Sequence, residues 1–306
     1  MDGFSEPERH RIGLTVANRD TDVIPKVAGA GEVIERDGVP LQLMHNGVVI
    51  REGSYHGAWM TEVIRQLRGH HEPQEELAFY TVLERLACNA ERPTMVELGS
   101  FWAYYSLWAK SRIPATRIVL LEPDLNDLAV GQRNLELNGV EADITIQAAI
   151  GEAHGTSVSL RWESDGELHD TPQVRIDGMM ADHRLSRIDL LLCDVQGAEV
   201  AALHGAAKTL SERRIRFLVL STHHHRITGD PLTHQRCVQI LEQAGVHFIA
   251  EHSVSESSSG DGLIVASADE RDADLHAPIS IARARDTLFG ELEWDLAEAM
   301  GITGEP

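Results

Sequence analysis

Met95-Val96-Glu97-Leu98-Gly99-Ser100-Phe101-Trp102-Ala103-Tyr104-Tyr105-Ser106 decides the reading of this 306-residue chain. An apolar strand ends on a carboxylate, turns through Gly99 and enters a helix. A second apolar strand, Arg117 to Leu121, follows and ends on Glu122. Strand, glycine turn, helix and a second strand with an acidic tip make the nucleoside-binding half of a doubly wound sheet. The glycine lets backbone approach the ligand, and the second acid accepts hydrogen bonds from ribose hydroxyls.

Strands and helices alternate outward from that unit. Phe79, Val82, Leu83 and Leu86 space out a helix before it, with Glu72-Pro73 as its start signal. After it, Leu125, Leu128 and Leu135 trace a helix face that stops near Asn138-Gly139. A third strand is expected over Ile144 to Ala149, an edge strand over Ser157 to Trp162, and an apolar strand from Ile188 to Cys193 ending at Asp194. A helix over Ala198 to Leu210 and a strand over Ile215 to Leu220 follow, the latter running into Ser221-Thr222-His223-His224-His225. Cys237, Ile240, Leu241 and Ala244 give another helix face, and two strands close the series at Val246 to Ala250 and Gly262 to Ala266. Near-continuous apolar strands imply a sheet covered by helices on both faces. Asn46-Gly47, between Leu41 to Met44 and Val48 to Ile50, predicts a tight hairpin. The expected organisation is a β-rich lead-in over 1–65, the α/β domain over 66–267 and a helical tail over 268–306, with Leu288, Leu292, Leu296 and Met300 on one side.

The net charge of −21 argues against nucleic acid, whose phosphates need a basic surface, and against an anionic membrane. Three scattered cysteines fit neither a disulfide framework nor a metal-ligand spacing, so a reducing cytoplasm is expected. No segment is long and apolar enough to cross a bilayer.

Gly99 stands without the further glycines of a dinucleotide fingerprint, since Ser100 follows it and Ala103 takes a later glycine position. That disfavours a nicotinamide cofactor. S-adenosylmethionine carries no phosphate, and its site tolerates a bulkier loop. The series Val96-Glu97-Leu98-Gly99, Leu121-Glu122-Pro123-Asp124, Asn134 to Gly139, Ala148 to Gly151 and Ile188 to Glu199 resembles the FkbM-type methyltransferases. The resemblance covers about residues 70 to 267. It implies a Rossmann-like, seven-stranded, mostly parallel sheet and S-adenosylmethionine as cofactor. Natural-product or glycan tailoring, commonly O-methylation, is the implied activity. Gln196 stands where the family has the middle acid of Asp-Val-Glu-Gly.

By the same resemblance, Glu97, Gly99 and Ser100 line the methionine end of the cofactor and Glu122 binds the ribose. Asp124 and Ala149 lie close to the adenosine, and Asp194 faces the sulfonium or the acceptor. An Asp just ahead of a helix also serves as an N-cap, the plainer role for Asp194. Methyl transfer is an in-line displacement, so alignment is the main task, with a base needed when the acceptor is a hydroxyl. A neutral imidazole suits that role. His223 is the expected base, and strand alternation puts it on one side with His225 and leaves His224 on the other. A divalent metal on Asp194 and these histidines would suit a mixed carboxylate and imidazole set but lacks a recognised ligand spacing and is not favoured. His71, Glu72 and Gln74, in the polar turn before the first helix, are candidate lid or acceptor contacts. His224 and His225 join them, as do, more weakly, Glu256 and Asp261. Trp102, Tyr104, Tyr105 and Trp108 offer aromatic surface to a ring or sugar face, part of it core. The acceptor itself is a small molecule, through a hydroxyl or, as the alternative, an amine. A binding protein that keeps the fold without turnover is the rival outside catalysis.

Overall fold

In the computed structural model of the chain, residues 3–282, 288 and 292–302 are described. The lead-in opens on α1 (Glu6–Ala17), where Ser5 and Glu8 close a reciprocal cap. Strands β1 (Val33–Arg36), β2 (Val39–Leu43) and β3 (Val49–Arg51) make a small antiparallel sheet, its second turn carrying Gly47 at φ +89°. α2 (Ala58–Gln66) packs on α1. The β-rich lead-in thus holds helices too. Within α1 only Ile12 and Thr15 are buried, a stripe too thin to read from sequence.

The chain then alternates through α3 (Pro73–Asn89), β4 (Thr94–Leu98), α4 (Tyr104–Arg112), β5 (Arg117–Leu121), α5 (Leu125–Leu137) and β6 (Ile144–Ile146). A second small sheet interrupts it with β7 (Ala149–Ile150), β8 (Thr156–Arg161) and β9 (Leu168–Val174). There follow α6 (Ile176–Asp182), β10 (Ile188–Cys193), α7 (Glu199–His204), α8 (Ala207–Ser211), β11 (Ile215–Thr222) and α9 (His225–Thr228). The series closes on α10 (Thr233–Gln243), β12 (His247–His252), β13 (Gly262–Ser267) and α11 (Glu293–Ala299). The main sheet has seven strands in the order β12-β13-β11-β10-β4-β5-β6, parallel except where β13 pairs with β11 and β12.

Three expectations change in detail. The third strand divides: β6 stays in the main sheet while β7 starts the small one, so β8 pairs with β9 rather than edging the main sheet. The helix expected over Ala198 to Leu210 breaks around Gly205-Ala206, where Gly151 O sits 2.3 Å from the place a Gly205 Cβ would occupy. Of the helical tail, α11 is described and holds Leu296; residues 283–287 and 289–291 lie outside the described residues.

Strand alternation divides the core between the sheet faces. Met95, Ile118, Leu120, Leu190, Leu192 and Phe217 pack on one side, and Val96, Val119, Leu191, Leu218 and Leu220 on the other. Each fully buried Leu, Val or Phe contributes about 1.5–3 kcal/mol. The period also sends Glu97 to the face covered by α4, which matters for the site. Asn134 of α5 and Asn138, the residue that caps its carboxyl end, bind the free edge of β3: Val49 N donates to Asn138 Oδ1 at 2.9 Å and Arg51 N to Asn134 Oδ1 at 3.1 Å. The lead-in sheet is thereby fastened beside the glycine turn.

Candidate active site

A cavity of about 600 Å³ opens at the carboxyl ends of β4, β5 and β10, a size usual for small-molecule sites. Gly99, at φ +75°, forms its floor, and a Cβ there would lie 1.6 Å from Asp194 O, so no other residue fits. The backbone N–H groups of Gly99 and Ser100 donate to Leu121 O at 2.9 and 3.1 Å, which locks the turn to the next strand. Phe101 and Ala103 follow with positive φ, and α5 can press on this loop because residue 131 is glycine: its Cβ would meet Phe101 O at 2.5 Å.

Glu97 lies on the cavity wall and accepts from Ser106 N, at the start of α4, at 3.0 Å. Glu122 accepts from Phe101 N at 3.0 Å and Asp124 N at 3.1 Å. Burial pushes each carboxyl up to about 8. A buried acid so placed gains from a ligand that brings a cation or hydroxyl donors. The donor set therefore fits S-adenosylmethionine: an ammonium for Glu97, ribose hydroxyls for Glu122 and a glycine cradle against the nucleoside. Asp124 and Ala149 line the same cavity. Asp124, however, spends its carboxylate on protein, capping α5 through Asn126 N at 2.9 Å and accepting from Ser164 N at 3.1 Å. Ser100 is buried and shapes the turn through its backbone, outside the cavity lining. Val158, Leu160, Trp162 and Glu163, from β8 and its turn, close the far wall.

At the other end stand His71, Glu72, Tyr105 and Asp194. Asp194 donates its backbone N–H to Leu98 O at 3.0 Å, and its side chain is not an N-cap, since α7 begins at Glu199 after Ala198. Asp194 Oδ1 lies 3.2 Å from His223 Nε2. The other ring nitrogen, Nδ1, donates to Glu199 Oε1 at 2.5 Å, and Glu199 also accepts from Gly197 N at 2.9 Å. Burial alone would lower the His223 pKa. Asp261, with its Oδ1 3.9 Å away, and the bonds to Asp194 and Glu199 instead raise it well above the ordinary value. His223 therefore keeps its proton and sits behind Asp194, off the cavity wall. This corrects the expectation of a neutral imidazole base: Nδ1 is bonded to Glu199, Nε2 faces the Asp194 carboxylate, and the ring lies off the cavity lining. Glu199 carries no sequence signal for this role. Its partner is 24 residues away, and sequence spacing does not show such a pair.

The other candidates separate. His71 is buried against Tyr55, Trp102, Tyr104 and Tyr105, with Nδ1 2.6 Å from Glu76 Oε1. Glu72 faces the cavity, and burial together with Glu75 pushes its carboxyl well up. Gln74 lies elsewhere: its amide donates to Ser280 O at 2.7 Å and accepts from Ser258 N at 2.9 Å. Glu256 accepts from Ser253 N at 3.2 Å and closes a short turn, also outside the cavity lining. His224 caps α9 and lies tilted against His225, ring centroids 4.0 Å apart. β11 ends at Thr222, so the alternation expected across the three histidines does not continue, and neither His224 nor His225 lines the cavity. Of the aromatics, Trp102 and Tyr105 line it while Tyr104 and Trp108 pack in the core. Tyr55 and His56, which carried no motif, enter from the lead-in, with Tyr55 stacked on Trp102 at 4.2 Å.

Among the described residues, ligand atoms of His45, His70 and Glu76 come within 4.8 Å of one another. The two imidazoles are stacked at 4.2 Å and 19°, so their lone pairs run side by side rather than converging. His45 Nδ1 meets Tyr104 Oη at 2.8 Å and His70 Nδ1 meets Glu76, which makes this a packed polar layer under the lead-in. No helix among the described residues is long and apolar enough to cross a membrane.

Sheet order, glycine turn and acidic strand tips together define a class I methyltransferase that uses S-adenosylmethionine. Residues 58–248 match the methyltransferase FkbM domain, and the chain belongs to that family. Among curated proteins no sequence match reaches significance. Solved structures similar to this chain include a precorrin-6y C5,15-methyltransferase from Geobacter metallireducens, 16% identical over 61% of this chain and 86% of that one, with a TM-score of 0.37. An O-methyltransferase from Bacillus cereus, in complex with SAH, is 12% identical over 63% and 81%, with a TM-score of 0.39. The METTL16 methyltransferase domain is 14% identical over 74% and 85%, with a TM-score of 0.45.

Proposed function

We propose that the chain methylates a hydroxyl of a small molecule or sugar-bearing metabolite, as a tailoring enzyme of a reducing cytoplasm. The observation that carries this reading is one continuous cavity that runs from Gly99 and Glu122 to Asp194 and Glu72. S-adenosylmethionine supplies the methyl on a sulfonium, already a good leaving group. The protein aligns and removes a proton. Glu97 and Glu122 hold the methionine and ribose ends, and the aromatic wall of Tyr55 and Trp102 keeps water from the reacting end. Asp194 takes the acceptor's hydroxyl proton as the new C–O bond forms. His223, clamped by Glu199, fixes the orientation of that carboxylate, as an orienting partner does in other acid–base pairs. The net charge of −21 favours a small acceptor over nucleic acid, and three free cysteines suit a reducing compartment.

Mass-spectrometric screening of hydroxyl-bearing metabolites for one added methyl tests the activity. With an acceptor in hand, Asp194→Asn should lower turnover by about 10²–10⁴-fold. Unchanged turnover in Asp194→Asn would remove the carboxylate from the proton path.

A further inference from the structure

The far wall of the cavity is attached differently from the rest of it. Val158 and Leu160 reach the cavity from β8 and Trp162 from the turn that follows. β8 is an edge strand that pairs only with β9, and neither joins the main sheet. Strand pairing roots the hairpin at one end, where Gln173 and Val174 of β9 meet Ala149 and Ile150 of β7. From that root the hairpin projects along the cofactor end. The floor at Gly99, by contrast, is bonded to Leu121 O, and Tyr55 and Trp102 belong to the packed core.

Two further observations give this wall the build of a movable piece. Trp162 is held by the hairpin itself: its Nε1 donates to Thr171 Oγ1 at 3.1 Å, and its ring stacks on His169 with centroids 3.8 Å apart, both partners lying on β9. At the tip, a polar latch ties the turn to the start of α5. Ser164 N donates to Asp124 Oδ2 at 3.1 Å, and Asn126 Nδ2 donates to Ser164 Oγ at 2.9 Å. Asp124 lines the cavity, so the latch closes at its rim, while Asn126 and Ser164 are exposed and stand outside the lining. Exposed bonds of this kind contribute little net stability and open far more readily than a core. A bound nucleoside covers the apolar side chains of Val158 and Leu160 only when the hairpin is down, so the ligand favours the closed state through that difference in contact.

We propose that the β8–β9 hairpin is a lid over S-adenosylmethionine. Ser164 latches it to Asp124 and Asn126, and it swings about its root beside β7 to admit the cofactor and release S-adenosylhomocysteine. A lid so placed sets the rates of entry and release and keeps water from the bound cofactor. It serves whichever acceptor group is methylated and rests only on the cofactor site described above.

Stopped-flow mixing of the full chain with S-adenosylhomocysteine, followed by tryptophan fluorescence, tests it, since Trp102 and Trp162 both line the cavity. Asn126→Ala and, independently, Ser164→Ala each remove the outer latch bond at an exposed position outside that lining. More frequent opening speeds entry and escape alike. Each variant should therefore raise the association and dissociation rates together, by about threefold, the size of one neutral hydrogen bond, and leave the affinity within about twofold of the parent. Hydrogen exchange should show residues 156–172 better protected with S-adenosylhomocysteine than without it. Unchanged rates in either variant, faster dissociation with an equal loss of affinity, or equal protection of the hairpin in the two states would overturn the proposal. Failure of S-adenosylhomocysteine to bind the parent protein would instead strike the cofactor site and take the lid with it.

Discussion

The two ends of the cavity are built from different parts of the chain. The cofactor end is made by the tips of β4 and β5 and the turn at Gly99, all inside the family-matched residues 58–248. Its groups are held by backbone: Gly99 against Asp194 O, Glu97 on Ser106 N, Glu122 on Phe101 N. The acceptor end takes Tyr55 and His56 from the lead-in and has Asp261 from the loop before β13 beside it, three residues outside that match. Its groups are held by side chains, through the Glu199–His223–Asp194 relay and the Glu76 anchor of His71. Backbone constraints preserve one cofactor geometry, while side-chain constraints can be exchanged without moving a strand. The two ends thus differ in how they are built, the Gly99 end by backbone contacts and the Asp194 end by side-chain contacts.

The largest expected effect breaks the cofactor end. Gly99→Ala places a methyl 1.6 Å from a carbonyl oxygen and adds a side chain at positive φ. Strain of a few kcal/mol follows, and S-adenosylmethionine affinity measured by calorimetry should fall by roughly a hundredfold. Full affinity would show that the turn does not cradle the ligand.

A smaller effect sharpens the electrostatics of the same end. Glu97 and Glu122 titrate at about 8 when folded, well above their unfolded values. Between those limits the folded state holds protons that the unfolded chain releases, so raising the pH destabilises the protein. The unfolding temperature of the ligand-free protein should fall from about pH 5 to pH 8, and Glu122→Gln should flatten that slope. His223, whose pKa is raised, slopes in the same direction at higher pH. A slope unchanged in Glu122→Gln would mean that Glu122 ionises normally.

The strand–turn–strand unit was legible because β4 and β5 are short, apolar and end on acids, a pattern that backbone geometry dictates locally. The same pattern gave Gly99, Glu97 and Glu122. His223 was legible as a strand-tip residue but not as an imidazolium, because its charge depends on Glu199, Asp194 and Asp261, which only the folded sheet brings together. Gln74 and Glu256 looked available because they are polar and near turns. Folding instead turned Gln74 onto the backbone of the loop at Ser258 and Glu256 onto the backbone of its own turn. Tyr55 and His56 carried no signal, since their place follows from how Asn134 and Asn138 fasten β3 to α5.

Titrating S-adenosylmethionine into the parent protein and into Glu122→Ala and Asp261→Asn tests the division most directly. The parent should bind the cofactor. Glu122→Ala should bind it about ten- to a hundredfold more weakly, as expected for a lost charge-assisted bond to ribose, while Asp261→Asn should match the parent. Equal affinity in Glu122→Ala, or a loss in Asp261→Asn as large as that in Glu122→Ala, would contradict it.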